Sequence, residues 1–272
     1  MGAVPVTPSP ASLLERYASV AGRLHHNTFQ RPLALDSSES SNGLKGDIYA
    51  LIDHPFSRVG AELDGPEQWC DVLILHINTK SCRAATGENG TALSVHVGKK
   101  TPQPLKDAYP LELSYRVEGA TPTYLAVRLH AEDGPLSTSN YRIVLQAMPV
   151  GKTQTFLHLA YSYEYGAVGK LAMKTYLATI GSNKVGFTPA DTRQGHIGGM
   201  RGVAERNTMR YYLAIDAYLG ALALPPRVQP KARLQRWFAA TEQYPRQLRE
   251  LSRADYLDMK AHEYLRQQTP RR

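Results

Sequence analysis

Between residues 92 and 165 one pattern recurs five times: a short run alternating apolar and polar side chains, closed by a cluster of turn-forming residues. The runs are ALSVHVG (92–98), LELSYRV (111–117), TYLAVRLHA (123–131), YRIVLQAM (141–148) and TQTFLHLAYSYEY (153–165). Thr101-Pro102, the segment 118–122, Asp133-Gly134-Pro135 and the segment 149–151 separate them with Gly, Pro and Asp chemistry suited to tight turns. Gaps this short join antiparallel neighbours, because a parallel crossover needs a dozen or more residues. The pattern therefore demands an antiparallel sheet with one face packed. Leu111, Leu113, Tyr115 and Val117 share one face, as do Leu125, Val127 and Leu129, and Tyr141, Ile143, Leu145 and Ala147. In the last run Leu157, Leu159, Tyr161, Tyr163 and Tyr165 oppose Phe156, His158, Ala160, Ser162 and Glu164.

Around this sheet the periodicity is helical. Ser12 with Glu15 has capping-box spacing, followed by Leu13, Tyr17, Val20, Ala21 and Leu24 on one face. The run 36–43 reads as a polar connector, GDIYALID (46–53) as a strand, 55–70 as helix-compatible, and VLILHIN (72–78) as a further strand. After Gly166 the stripe Val168, Leu171, Ala172, Thr175 and Thr179 predicts a long helix over 167–181. Further helices are expected over 203–222, around Leu234 to Tyr244, and from a Ser252/Asp255 cap onward. This divides the chain into an N-terminal helix and linker (1–43), a sheet body (44–190) and a helical extension (191–272). The formal charge of +8 is concentrated in the extension, where 15 Lys/Arg face 8 Asp/Glu, against 17 and 16 in residues 1–190.

The order strand, helical segment, strands, long helix over residues 45–181 resembles the helix-grip order of the START and Bet v 1-like superfamily. GPLSTSNYRIVLQA (134–147) adds a local likeness: a proline-containing turn, a small polar stretch, then a strand, with Ser139-Asn140-Tyr141 where START domains carry Arg-Asp-aromatic. The resemblance implies an α+β fold in which a curved antiparallel sheet of about seven strands wraps the helix 167–181. It implies a cavity between them, occupied by a lipid, sterol or aromatic compound. Independently, a curved sheet gripping a helix leaves wedge-shaped space for side chains or a ligand. The expected ligand-binding residues are Tyr115, Leu129, Leu145, Tyr161, Tyr163, Met173 and Tyr176.

Catalytic signals are absent. The nine histidines show no HxH or HExxH spacing, no CxxC or G-x-S-x-G occurs, and the glycine-rich segment 195–202 lacks a phosphate-loop ending. No metal or other cofactor is expected. Arg128, His130 and Glu164 are the polar candidates for an enzyme on this scaffold, but alternation puts them on the face away from the cavity. Arg206 and Arg210, four apart on one helix face, would suit a carboxylate or phosphate, or would dock the extension onto acidic residues. Cys70 and Cys82 are either one disulfide or two buried thiols. The expected partner is a hydrophobic small molecule; an anionic membrane surface against the basic helices is the alternative, and nucleic acid is not expected. The cysteine pair and the Pro/Ser-rich start point to an exported, periplasm-like setting with its leader absent, a cytoplasmic one being the alternative.

Overall fold

The structure is a computed structural model that describes residues 8–167, 169, 171, 184–191 and 195–269. Its centre is one antiparallel sheet of eight strands: β1 (Leu33–Glu39), β2 (Gly43–Ile52), β3 (Thr79–Gly87), β4 (Gly90–Val97), β5 (Tyr109–Thr121), β6 (Tyr124–Gly134), β7 (Thr138–Val150) and β8 (Gln154–Tyr165). Their spatial order is β1-β2-β8-β7-β6-β5-β4-β3. After β2 the chain crosses to the far edge through α2 (Phe56–Leu63) and α3 (Pro66–Leu73), then returns hairpin by hairpin until β8 pairs with β2. The other described helices are α1 (Pro10–His25), α4 (Gly199–Ala221), α5 (Gln229–Thr241), the one-turn α6 (Pro245–Leu248) and α7 (Arg253–Gln268).

Four local readings need correction. The run 36–43 is not a connector, because it carries the end of β1 and the turn into β2, with Asp36 opposite Asp47 and Ser38 opposite Lys45. Polar side chains are compatible with an edge strand whose outward groups stay hydrated. VLILHIN is not a strand: α3 ends at Leu73, and Ile74, Leu75 and Ile77 are buried in the turns that follow. A segment enclosed on every side has no alternation to distinguish helix from strand. The cap of α1 is Ser9, whose hydroxyl accepts from the Ser12 backbone, while Ser12 returns the bond as the third helical residue. The strand number is eight rather than about seven: VLILHIN drops out, while β1 and β3 come from segments not expected to be strands.

The two faces of the sheet are covered by different helices. Leu13, Val20 and Leu24 of α1 pack on Ala34, Tyr49, Leu51, Tyr124, Ala126, Met148 and Phe156, so α1 covers one half of the outer face. The inner face carries the main core, shared by β2, β4–β8, α2, α3 and α4. The long helix gripped there is α4. Of the segment expected in that role, 167–181, only Ala167, Gly169 and Leu171 lie within the described residues. α4 crosses β2 at Gly46, where a Cβ would overlap the Thr208 hydroxyl. The absent side chain is what lets helix and strand approach so closely. At the start of α4 the buried Glu205 carboxylate accepts from the Ser37 hydroxyl (2.6 Å) and the Thr188 amide (3.0 Å), tying β1 and the segment 184–191 to the helix.

The free edge of β3 is sealed by α7. Gln267 accepts from the Cys82 amide (2.9 Å), and Arg266 donates to the Lys80 carbonyl (2.9 Å). Lys80 and Lys260, both fully buried, share the Glu263 carboxylate at 2.9 and 2.6 Å. Burial outweighs the pull of Glu263 and pushes the Lys260 ammonium down to about 8. Cys70 and Cys82 form a disulfide with Cα atoms 5.1 Å apart, joining α3 to β3. No helix among the described residues is long and apolar enough to cross a membrane.

Candidate ligand site

Register assembles a row across the middle of the inner face. Tyr115 of β5 faces Leu129 of β6, Leu129 faces Ile143 of β7, Ile143 faces Tyr161 of β8, and Tyr161 faces Gly46 of β2. One pleat further along, Leu145 faces Leu159. Tyr163 lies on the other side of the row, opposite Leu44. Five of the seven expected lining residues (Tyr115, Leu129, Leu145, Tyr161 and Tyr163) therefore share this face, all buried. Met173 and Tyr176 lie outside the described residues.

At the β7–β8 end the aliphatic wall becomes aromatic. Tyr141 stacks on Tyr163 at 5.1 Å between centroids, Tyr161 lies 5.7 Å from Tyr163, and Tyr211 of α4 closes on Tyr161 at 5.3 Å. His76, from the turns after α3, stacks on Tyr211 at 4.7 Å. Tilted rings at these spacings pack favourably through their quadrupoles. Burial pushes every one of these phenols upward, so all four remain protonated donors at neutral pH. Tyr161 hydrogen-bonds the Asn207 side chain, and the Tyr141 hydroxyl lies 3.2 Å from that of Thr138.

Two polar atoms on this face have no hydrogen-bond partner among the described residues. The Nδ1 of His76 accepts from the Asn78 amide at 3.2 Å. Burial, together with the nearby Arg210 and lysine charges, holds the imidazole neutral, well below its usual range. A neutral ring whose Nδ1 accepts must carry its proton on Nε2. That Nε2–H is buried with no acceptor, and the Tyr115 hydroxyl is buried and unpaired in the same way. Such groups each cost on the order of 1–3 kcal/mol, so native proteins rarely leave them unmet.

Arg206 and Arg210 are also interior. Arg206 donates to the Val185 carbonyl at 3.2 Å, while Arg210 reaches Glu250 at 2.8 Å and Asn207 at 3.3 Å. Glu250 also meets Lys100 at 2.7 Å, and the surrounding cations hold its carboxyl below the usual range against the opposing pull of burial. Arg128, His130 and Glu164 stand on the outer face, Arg128 paired with Glu118 and both His130 and Glu164 bonded to Asn140. No group of three or more His, Cys, Asp or Glu among the described residues could hold a metal ion. His76, Asn207 and Tyr211 carry no motif or spacing that marks them in the sequence.

No family model matches the sequence, and no curated protein matches it. Solved structures of similar arrangement include a START superfamily protein from Mycobacterium smegmatis, with 12% identity over 52% of this chain and 93% of that one, at a TM-score of 0.34. A truncated norcoclaurine synthase from Thalictrum flavum is similar at 11% identity over 53% and 91% of the two chains, TM-score 0.35. Ara h 8.0201 is similar at 9% identity over 70% and 99%, TM-score 0.36. The chain's own architecture is α+β, an open antiparallel sheet gripping a long helix.

Proposed function

We propose that the protein binds and carries a hydrophobic, lipid-like small molecule against the tyrosine-lined inner face. The observation that carries this reading is the unmet Nε2–H of His76 in a wall of four tyrosine rings. An apolar body would lie along Leu129, Ile143 and Leu145, and an accepting group, a carbonyl or carboxylate, would meet His76. The positive charge of Arg210 and the lysines near His76 favours an anionic acceptor. The alternative partner, an anionic membrane, has fewer basic groups to meet, since Arg206, Arg210, Arg233 and Lys260 are buried. The Cys70–Cys82 bridge supports an exported, oxidising setting.

Organic-solvent extraction of the purified protein followed by mass spectrometry is the direct test, with titration of a fluorescent fatty acid as its complement. Co-purified lipid, or saturable uptake that weakens in Tyr161→Ala, is the expected result. An empty protein that takes up neither fatty acid nor an aromatic probe overturns the proposal.

A further inference from the structure

The half of the outer face left open by α1 is lined by polar and charged side chains. A cleft of about 170 Å³ opens there, its polar lining supplied by Ser38, Lys45, Asn140, Arg142, Ser162 and Glu164 among others. Register explains how four strands bring these together: Ser38 faces Lys45, Lys45 faces Ser162, and Ser162 faces Arg142. At roughly 4.8 Å per strand step, the Lys45 and Arg142 backbones lie about 10 Å apart with a serine hydroxyl between them. Long cationic side chains over that span can converge on one oxyanion from opposite sides.

The two cations are held differently. Arg142 is exposed and makes no hydrogen bond or ion pair among the described residues, so its guanidinium fork is open to a ligand. Lys45 is braced from behind by a buried chain. Its ammonium meets Asp47 at 2.9 Å, and the other Asp47 oxygen meets His158 Nε2 at 2.8 Å. His158 Nδ1 lies 3.2 Å from the Gln146 amide, whose oxygen accepts from the Tyr124 hydroxyl at 2.9 Å. A cation on the surface end of a fully bonded interior chain is pre-positioned, so less side-chain entropy is lost when it binds.

The cleft also holds an acceptor. Asn140, in the left-handed backbone region at φ 53°, donates to Glu164 at 2.7 Å and lies 3.2 Å from His130 Nε2. That fixes the Glu164 carboxylate in the lining, where it would repel a bare anion yet accept from hydroxyls. A cavity of roughly 150 Å³ suffices for one six-membered ring.

We infer that this outer cleft binds a hydroxylated oxyanion, one sugar ring bearing a phosphate or carboxylate, with Arg142 and Lys45 on the anion and Glu164 on the hydroxyls. The inference is independent of the inner-face proposal. Isothermal titration calorimetry of the full chain with glucose 6-phosphate and with glucuronate tests it, alongside inorganic phosphate and uncharged glucose. Binding of at least one of the two sugar anions is expected, and which one binds identifies the anionic group. Arg142→Ala, at an exposed position, should weaken that binding more than about tenfold with an unchanged Tm, and Glu164→Gln should narrow the preference over inorganic phosphate. Failure of both sugar anions to bind at millimolar concentration overturns the inference, as does an unaffected Arg142→Ala or a protein that binds phosphate or glucose as tightly. Fatty-acid uptake by Arg142→Ala should match the wild type, which separates the two sites.

Discussion

The two faces of the sheet handle buried polarity in opposite ways. On the outer face every member of the interior chain is bonded: Tyr124 to Gln146, Gln146 to His158, His158 to Asp47, and Asp47 to Lys45. On the inner face His76 Nε2 and the Tyr115 hydroxyl have no hydrogen-bond partner among the described residues. Since each unmet group destabilises the fold while each satisfied one is roughly neutral, the outer face is complete as it stands. On the inner face two buried groups remain unmet among the described residues. The proposed ligand would meet the unsatisfied inner face, while the outer chain braces Lys45.

The largest expected perturbation attacks the way the inner face is closed. Gly46→Val forces a side chain into Thr208 and should cost about 3 kcal/mol in chemical denaturation by lifting α4 from β2. Thr208→Ala in the same chain should recover part of that loss, and no recovery would mean the helix is not seated at this crossing. Next in size is His158→Leu, which strands Asp47 and Gln146 on the outer face and should destabilise by about 2 kcal/mol. If it is neutral, the outer chain is not the satisfied network described.

Acid sharpens the same comparison. Burial depresses His76 and His158 below the usual value of 6.5, so unfolding takes up protons as pH falls past that point. Stability from these groups is present above pH 6.5 and is lost progressively below it, readable as a falling Tm. His158→Leu and His76→Phe should each remove part of the slope. The smallest effect on folding is expected for His76→Phe itself. Losing the orphan donor offsets losing the acceptor for the Asn78 amide, so stability should change by less than about 1 kcal/mol. Ligand uptake should nevertheless weaken about tenfold or more, and a variant that binds as well as the wild type removes His76 from the site.

Most of the sheet was legible because half-buried strands write their two faces into alternate residues. Tyr161, Tyr163 and Tyr165 were assigned to one face from spacing alone, and the structure puts them there. α4 was harder. It is buried on nearly every side, with Glu205, Arg206, Thr208 and Arg210 among its enclosed residues, so it shows no apolar stripe and reads as a basic surface helix. What neutralises Arg210 is Glu250, forty positions along the chain, and no local pattern announces such a pairing. The same limit hid His76. Whether an imidazole nitrogen is met or unmet depends on what α4, α7 and a turn bring beside it, which is a property of the assembled fold.

The C-terminal helix has a consequence of another kind. By placing Gln267 and Arg266 where a ninth strand would sit, α7 acts as a selvedge on the sheet. Molecules clipped before Arg253 would bare that margin and, with it, the ammonium of Lys80 stripped of Glu263. Such shortened chains should associate margin to margin into soluble oligomers or fibres, visible by light scattering, while the intact protein stays dispersed.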